Sequence, residues 1–304
     1  MTLSRRTLLG ATAALPFAGL ARPTLAAAPM QEGANAPFHR FKLGGFEVTT
    51  LLAGTRTVPD PQTIFGLNAS AEDFAAVSQD AFIPTDKAQF FFTPTLVNTG
   101  DELVLFDTGL NPAGIGAALS AAGYSADQVD KVVITHMHGD HIGGLAGDAG
   151  ETFTNAAYMT GSAEFDAWDK MESEGFAAKV KPLAEKMTFL DDEGSVASGI
   201  TAMAAFGHTP GHMSYMLESG GQGLLVAADF ANHYVWSLGH PDWEVKFDMD
   251  KPTAAATRRR ILGMLAADKL PFIGYHMPFP GIGYVEAQGD AFRYVPASYQ
   301  MMMG

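Results

Sequence analysis

The chain has 304 residues, 47% of them hydrophobic, which is enough to bury one large core, and its formal net charge is −14. It contains no cysteine, which excludes disulfides, thiolate metal ligands and thiol nucleophiles, so any metal must be held by histidine nitrogen and carboxylate oxygen. The acidic balance disfavours nucleic acid, anionic membrane surfaces and polyanionic substrates.

Ser4-Arg5-Arg6-Thr7-Leu8-Leu9 sets a twin arginine before an Ala/Gly-rich apolar stretch that runs to Leu20, and Ala26 to Ala28 offer a cleavage site. Residues 1–28 read as a twin-arginine export signal, so that residues 29–304 are a single catalytic domain in the periplasm or beyond. The stretch is too short to span a bilayer and carries Pro16, so no stable membrane insertion is expected. Its removal takes away Arg5, Arg6 and Arg22 and no acid, which leaves the exported domain more acidic still.

Phe38–Leu43 and Phe46–Leu51 flank Gly44-Gly45, the pattern of a tight hairpin. Residues 53–88 carry Pro59, Pro61 and Pro84 around a short helical patch near Glu72 to Val77, and read as a long loop able to reach over a site. Thr95–Asn98 and Leu103–Phe106 are apolar strands, the second ending at Asp107-Thr108-Gly109. Asn111 as cap, Pro112 at the first helical position and Gly123 past the end bracket a helix. Lys131–Thr135 is a β-branched strand that runs into a histidine cluster. The same plan recurs where Ile200–Ala205 leads to Gly207-His208, Leu224–Ala228 to Asp229, and Phe272–Tyr275 to His276. Helices are expected at Ser162–Met171 and Asp250–Ala267, with Arg258-Arg259-Arg260 on a solvated face, and Met301–Met303 as a frayed tail. Strands and helices interleave, which predicts an α/β or α+β layered fold with two sheets covered by helices. Strands that each end in a metal-competent residue put those residues along one rim.

The run His136-x-His138-x-Asp140-His141 packs four metal-competent side chains into six residues. Alternation sends His136 and His138 the same way, while Asp140 and His141 lie past the bend and can face a second ion. Gly139, Gly143 and Gly144 fit a loop folded close around something.

This cluster resembles the signature of the metallo-β-lactamase superfamily. The likeness extends through Asp107-Thr108-Gly109, Gly207-His208-Thr209-Pro210-Gly211-His212, Ala228-Asp229 and His276. Phe279-Pro280-Gly281-Ile282-Gly283-Tyr284 and Arg293-Tyr294-Val295-Pro296 resemble the methyl parathion hydrolase branch. The resemblance implies a four-layer αββα sandwich. It makes His136, His138 and His208 the ligands of one metal and Asp140, His141 and His276 those of the other, with Asp229 bridging. Asp107 and His212 become residues that orient ligands. Two departures stand out. Gly139 takes the place of a proline in that branch, and Asn232 stands where related lactonases carry a tyrosine three residues after the bridging aspartate, with Tyr234 nearby in another register.

Imidazole and carboxylate suit two divalent ions, zinc foremost, with manganese, cobalt or iron as alternatives. Such a pair lowers the pKa of a shared water, giving a hydroxide that attacks an ester-like bond, with Asp140 or Asp229 to shuttle the proton. Phe90-Phe91-Phe92, and Phe92 above all, together with Trp168 and Phe176, are the aromatic candidates for a substrate wall. They suit a small neutral substrate: a lactone, an aryl ester or an organophosphate triester. An iron-dependent persulfide dioxygenase and a glyoxalase II-like thioesterase are the alternative readings, and a homodimer is allowed for.

Overall fold

The computed structural model describes residues 36–302. The expected export signal lies outside the described residues. Two seven-stranded sheets follow one another along the chain. The first runs, edge to edge, Phe38–Leu43, Phe46–Leu51, Thr95–Asn98, Leu103–Phe106, Lys131–Ile134, Ala157–Gly161 and Met187–Leu190. The second runs Ser195–Ala197, Ile200–Ala204, Met213–Ser219, Gln222–Ala228, Phe272–Gly274, Ile282–Gln288 and Ala291–Pro296. Parallel neighbours occur where a helix intervenes, as between Leu103–Phe106 and Lys131–Ile134, or between Gln222–Ala228 and Phe272–Gly274.

Period-two alternation assigns the faces. Val104 and Phe106 point inward with Val97, Val133 and Met159 to meet Tyr215, Leu217, Leu224, Val226 and Ile273 of the second sheet. Leu105, Val132 and Ile134 point outward and are covered by Ile115 and Leu119 of helix Pro112–Ala121. On the far side Leu225, Ala227 and Phe272 pack under Ile261, Leu262 and Leu265 of helix Lys251–Asp268. The result is four layers, helix, sheet, sheet and helix, as expected. Caps fix the helix starts: Asn111 accepts the Gly114 N–H and Asp250 the Thr253 N–H.

Three expectations are corrected. Residues 53–88 are not a long loop. Gly54–Pro59 pairs antiparallel with Lys87–Phe92 in a separate two-stranded ribbon, and helix Ala71–Asp80 follows the Ser70 cap. That strand pairing joins residues about thirty positions apart, so no local pattern announces it. An aromatic cluster of Phe65, Phe74, Phe90, Phe92, Trp236 and Tyr275 holds ribbon and helix down. Met301 is not frayed but buried against the inter-sheet core. Arg258 is buried at 1% exposure rather than on a solvated face. Among the described residues no helix is long and apolar enough to cross a membrane.

Candidate metal centre

The histidine cluster sits where strand Lys131–Ile134 gives way to the short helix Gly139–Ile142. The loop folds back tightly: a Cβ on Gly143 would lie 2.2 Å from the Leu110 carbonyl oxygen, so only glycine fits. His208 lies in the turn after Ile200–Ala204. There Gly207 has φ +121°, and a Cβ on it would meet Ala254 N at 2.2 Å. Asp229 follows Ala228, whose left-handed φ of 52° comes with a register shift against Phe272–Gly274 and re-aims the carboxylate. His276 follows Phe272–Gly274.

All seven predicted ligand residues converge. Three groups have ligand atoms within 4.8 Å of one another: His136, His138 and His208; Asp140, His141 and His276; and His136, His141 and Asp229. His138 Nδ1 lies 3.1 Å from His136 Nε2 and 3.0 Å from His208 Nε2. Tetrahedral zinc with bonds of about 2.0–2.1 Å sets its ligand nitrogens about 3.3 Å apart, close to this spacing. Asp229 reaches both sides, with Oδ2 3.6 Å from His208 Nε2 and 3.1 Å from His276 Nε2, and Oδ1 3.5 Å from His141 Nε2. Asp140 Oδ2 is 3.2 Å from His276 Nε2. His141 Nε2 and Asp229 Oδ1 are buried without a hydrogen-bond partner, and both point into the cluster. Orphaned donor atoms of this kind fit a pair of cations.

The far side of three of the rings, those of His141, His208 and His276, is fixed. Asp107, in a left-handed backbone at φ 62°, takes the Thr135 N–H on one oxygen, and on the other the Thr135 hydroxyl and His141 Nδ1 at 2.8 Å. His208 Nδ1 donates to Asp248 at 2.9 Å and His276 Nδ1 to the Phe91 carbonyl at 2.8 Å. These bonds set the tautomers that leave Nε2 free. His212 is buried and is no ligand; its Nε2 accepts the Asp229 backbone N–H at 3.0 Å.

Burial and the neighbouring imidazole of His208 hold His138 down at about 3, and burial with His141 keeps His136 well below the usual histidine range. Burial alone would lower His276, but Asp229 and Asp140 outweigh it and raise the ring to about 10. Burial would likewise raise Asp140, yet His141 and His276 hold it at about 2.

Several supporting residues carry no sequence signature. Glu164 is fully buried and accepts from Met137 N at 2.9 Å, Thr209 Oγ1 at 2.7 Å and Gly211 N at 2.8 Å, which clasps the two ligand loops together. Asp248 pairs with buried Arg258 at 2.7 Å. Tyr275 donates its hydroxyl to the Asp140 carbonyl at 2.6 Å. No fixed spacing links Glu164, Asp248 or Arg258 to the cluster, and Tyr275, though adjacent to His276, shows its contact with Asp140 only in the fold.

A cavity of about 410 Å³ opens on the cluster. Val58, Ile64, Phe90, Phe92, Leu110 and Phe247 form its apolar wall, Arg56 is its one cation, and His138, Asp140, His208, Asp229 and His276 line the floor. Phe92 is therefore in the wall, edge-on to His276 at 5.5 Å. Trp168 stands edge-on to His138 at 5.9 Å but does not line the cavity. Phe176, expected to face substrate, lies in the core beside the first sheet at 2% exposure, edge-on to Phe165. Core and pocket aromatics look alike in sequence. Buried Asn232 and half-buried Tyr234 are likewise outside this cavity.

The metallo-beta-lactamase superfamily profile matches residues 93–274, a span that takes in six of the seven candidate ligands. The chain belongs to the metallo-beta-lactamase superfamily. Lactonases are among the proteins it resembles. AidC, a dizinc quorum-quenching lactonase solved with a product, superposes with TM-score 0.81 at 26% identity, over 86% of this chain and 98% of that one. The N-acyl homoserine lactonase of Bacillus cereus is 26% identical over 108 residues, 36% of this chain and 40% of that protein. Anti-Pycsar protein Apyc1 of Paenibacillus sp. (strain J14) is 40% identical over 57 residues, 19% of this chain and 22% of that protein. The chain thus matches less than half the length of either curated relative. The seventh candidate ligand, His276, lies just past the matched span.

Proposed function

We propose that the chain is a dinuclear hydrolase of neutral carboxylic esters, with lactones bearing an apolar acyl arm as its main substrate class. One observation carries this reading: seven metal-competent residues converge, and five of them, His138, Asp140, His208, Asp229 and His276, form the floor of a cavity whose wall is Val58, Ile64, Phe90, Phe92, Leu110 and Phe247. The relatives that hydrolyse acyl homoserine lactones agree with it.

His136, His138 and His208 would hold one ion, Asp140, His141 and His276 the other, and Asp229 both. Zinc is the proposed metal, in keeping with the dizinc relative. Bound there, the ions supply water activation and Lewis-acid polarisation of the ester carbonyl. The chain's own residues do the rest. Phe90 and Phe92 stand edge-on to His276 and seat the acyl arm beside the reacting centre while excluding water. Asp140 lines the cavity with its side chain 23% exposed, whereas Asp229 is at 5%, so Asp140 is the carboxylate able to pass a proton to the leaving alkoxide.

The test is a metal count by mass spectrometry on zinc-replete protein. It is paired with assays on an acyl homoserine lactone, an aryl ester, a phosphotriester and a thioester. About two ions per chain, fastest turnover of the lactone and its loss in His138→Ala are expected. Less than one ion per chain, or undiminished activity in His138→Ala, overturns the reading. A phosphotriester preference would return the methyl parathion hydrolase branch in its place, a thioester preference the glyoxalase II-like one, and iron with oxygen consumption the persulfide dioxygenase.

A further inference from the structure

The ribbon Gly54–Pro59/Lys87–Phe92 has two faces, and only one belongs to the metal cavity. Cross-strand register puts Arg56 opposite Phe90 and Gly54 opposite Phe92 on that face. The alternate residues, Thr57, Gln89, Lys87 and Phe91, face a second cavity of about 450 Å³ on the other side of the wall. This volume is that of a small-molecule site.

The second cavity has a built polar anchor. His233 lines it and is 8% exposed. Its Nδ1 accepts two backbone N–H groups, from Val235 at 3.2 Å and Trp236 at 3.1 Å. The proton of the neutral ring therefore resides on Nε2. Burial, reinforced by His276, holds this histidine down at about 3, so the ring stays neutral across the physiological range. Among the described residues Nε2 has no hydrogen-bond partner, which leaves one fixed donor open on the cavity wall. The surrounding surface is the edge of an aromatic stack. His233 stacks on Trp236 at 4.0 Å and 14°, and on Tyr234 at 4.9 Å and 28°. Across the cavity the Lys87 ammonium makes no ion pair among the described residues, and no carboxylate lines the space.

We propose that this cavity is a second ligand site, separate from the metal centre, that takes a small aromatic carboxylate: the ring packs against the edges of the Tyr234–His233–Trp236 stack, and the carboxylate is shared by His233 Nε2–H and Lys87. The site touches the metal centre only through His276, which borders both cavities. It does not depend on the hydrolase reading, because neither of its two anchoring groups, His233 and Lys87, belongs to the metal cluster.

Benzoate titrated calorimetrically into the zinc-loaded full chain tests it. One site per chain is expected, weakened about tenfold in Lys87→Gln and about tenfold in His233→Asn, with zinc content unchanged in both. Asparagine keeps an oxygen for the Val235 and Trp236 N–H groups while removing the Nε2 donor. Lys87 is exposed on the ribbon, so its replacement leaves folding intact. No binding up to about 10 mM benzoate, or an affinity unchanged in both variants, as for benzoate seated on the zinc ions, overturns the proposal.

Discussion

Asp248 and Arg258 form a buried ion pair at 2.7 Å, and the other oxygen of the same carboxylate takes the Nδ1 proton of His208 at 2.9 Å. Asp248→Ala frees the His208 ring and strands a buried guanidinium. Affinity at the site of His136, His138 and His208 is expected to fall about 10–100-fold. The metal-free protein is expected to lose about 3–5 kcal/mol. The double variant Asp248→Ala/Arg258→Met removes the stranded charge, so it regains most of the stability and none of the affinity. Zinc competition titrations and urea unfolding, read together, separate the two effects.

Glu164 offers Met137 N one oxygen, and the Thr209 hydroxyl and Gly211 N the other. Glu164→Gln turns one of these oxygens into a donor that faces another donor in a buried site. A loss of about 1–3 kcal/mol in urea unfolding is expected. Because the clasp joins both ligand loops, zinc affinity should fall with it, whereas a surface change such as Glu286→Gln should alter neither.

His276 is raised to about 10 in the metal-free protein by Asp229 and Asp140, against the pull of burial. A raised imidazole stabilises the fold fully below the unfolded value of 6.5, and that contribution disappears as pH climbs toward 10. Zinc requires the neutral ring, so its uptake must expel this proton. Calorimetry at pH 7 in two buffers of different ionisation enthalpy should register proton release. Apparent zinc affinity should rise with pH across the same window. His276→Gln should reduce the proton count by one.

Gly207→Ala puts a methyl group 2.2 Å from Ala254 N and forces alanine to φ +121°. Helix Lys251–Asp268 begins there and cannot give way without moving its packed face. A cost of about 3 kcal/mol or more is expected in thermal unfolding, with loss of metal at the His208 side.

The converging cluster was legible in the sequence because four of its residues lie within six positions and the other three each follow an apolar strand. The partners of those residues were not. Asp248 is forty residues from His208 with no periodic link, and Arg258 reads as one member of a basic run until helix phase turns it inward. The ribbon went unseen for a related reason: Phe90 to Phe92 stood out as wall candidates, but their strand, Lys87–Phe92, is recognisable as half of a ribbon only once Gly54–Pro59 is beside it. Phe92 and Phe176 are equally aromatic, and only the fold sends one to the cavity and the other to the core.

The order of the two sheets along the chain has a practical consequence. Residues 38–190 build the first and residues 195–296 the second. His136, His138, Asp140 and His141 come from one half, and His208, Asp229 and His276 from the other, so neither half contains a complete ligand set for either ion. The turn at residues 191–194 is accordingly a natural cut point for a split reporter. Two separately made fragments would each be silent, and recovered zinc binding would register their reunion.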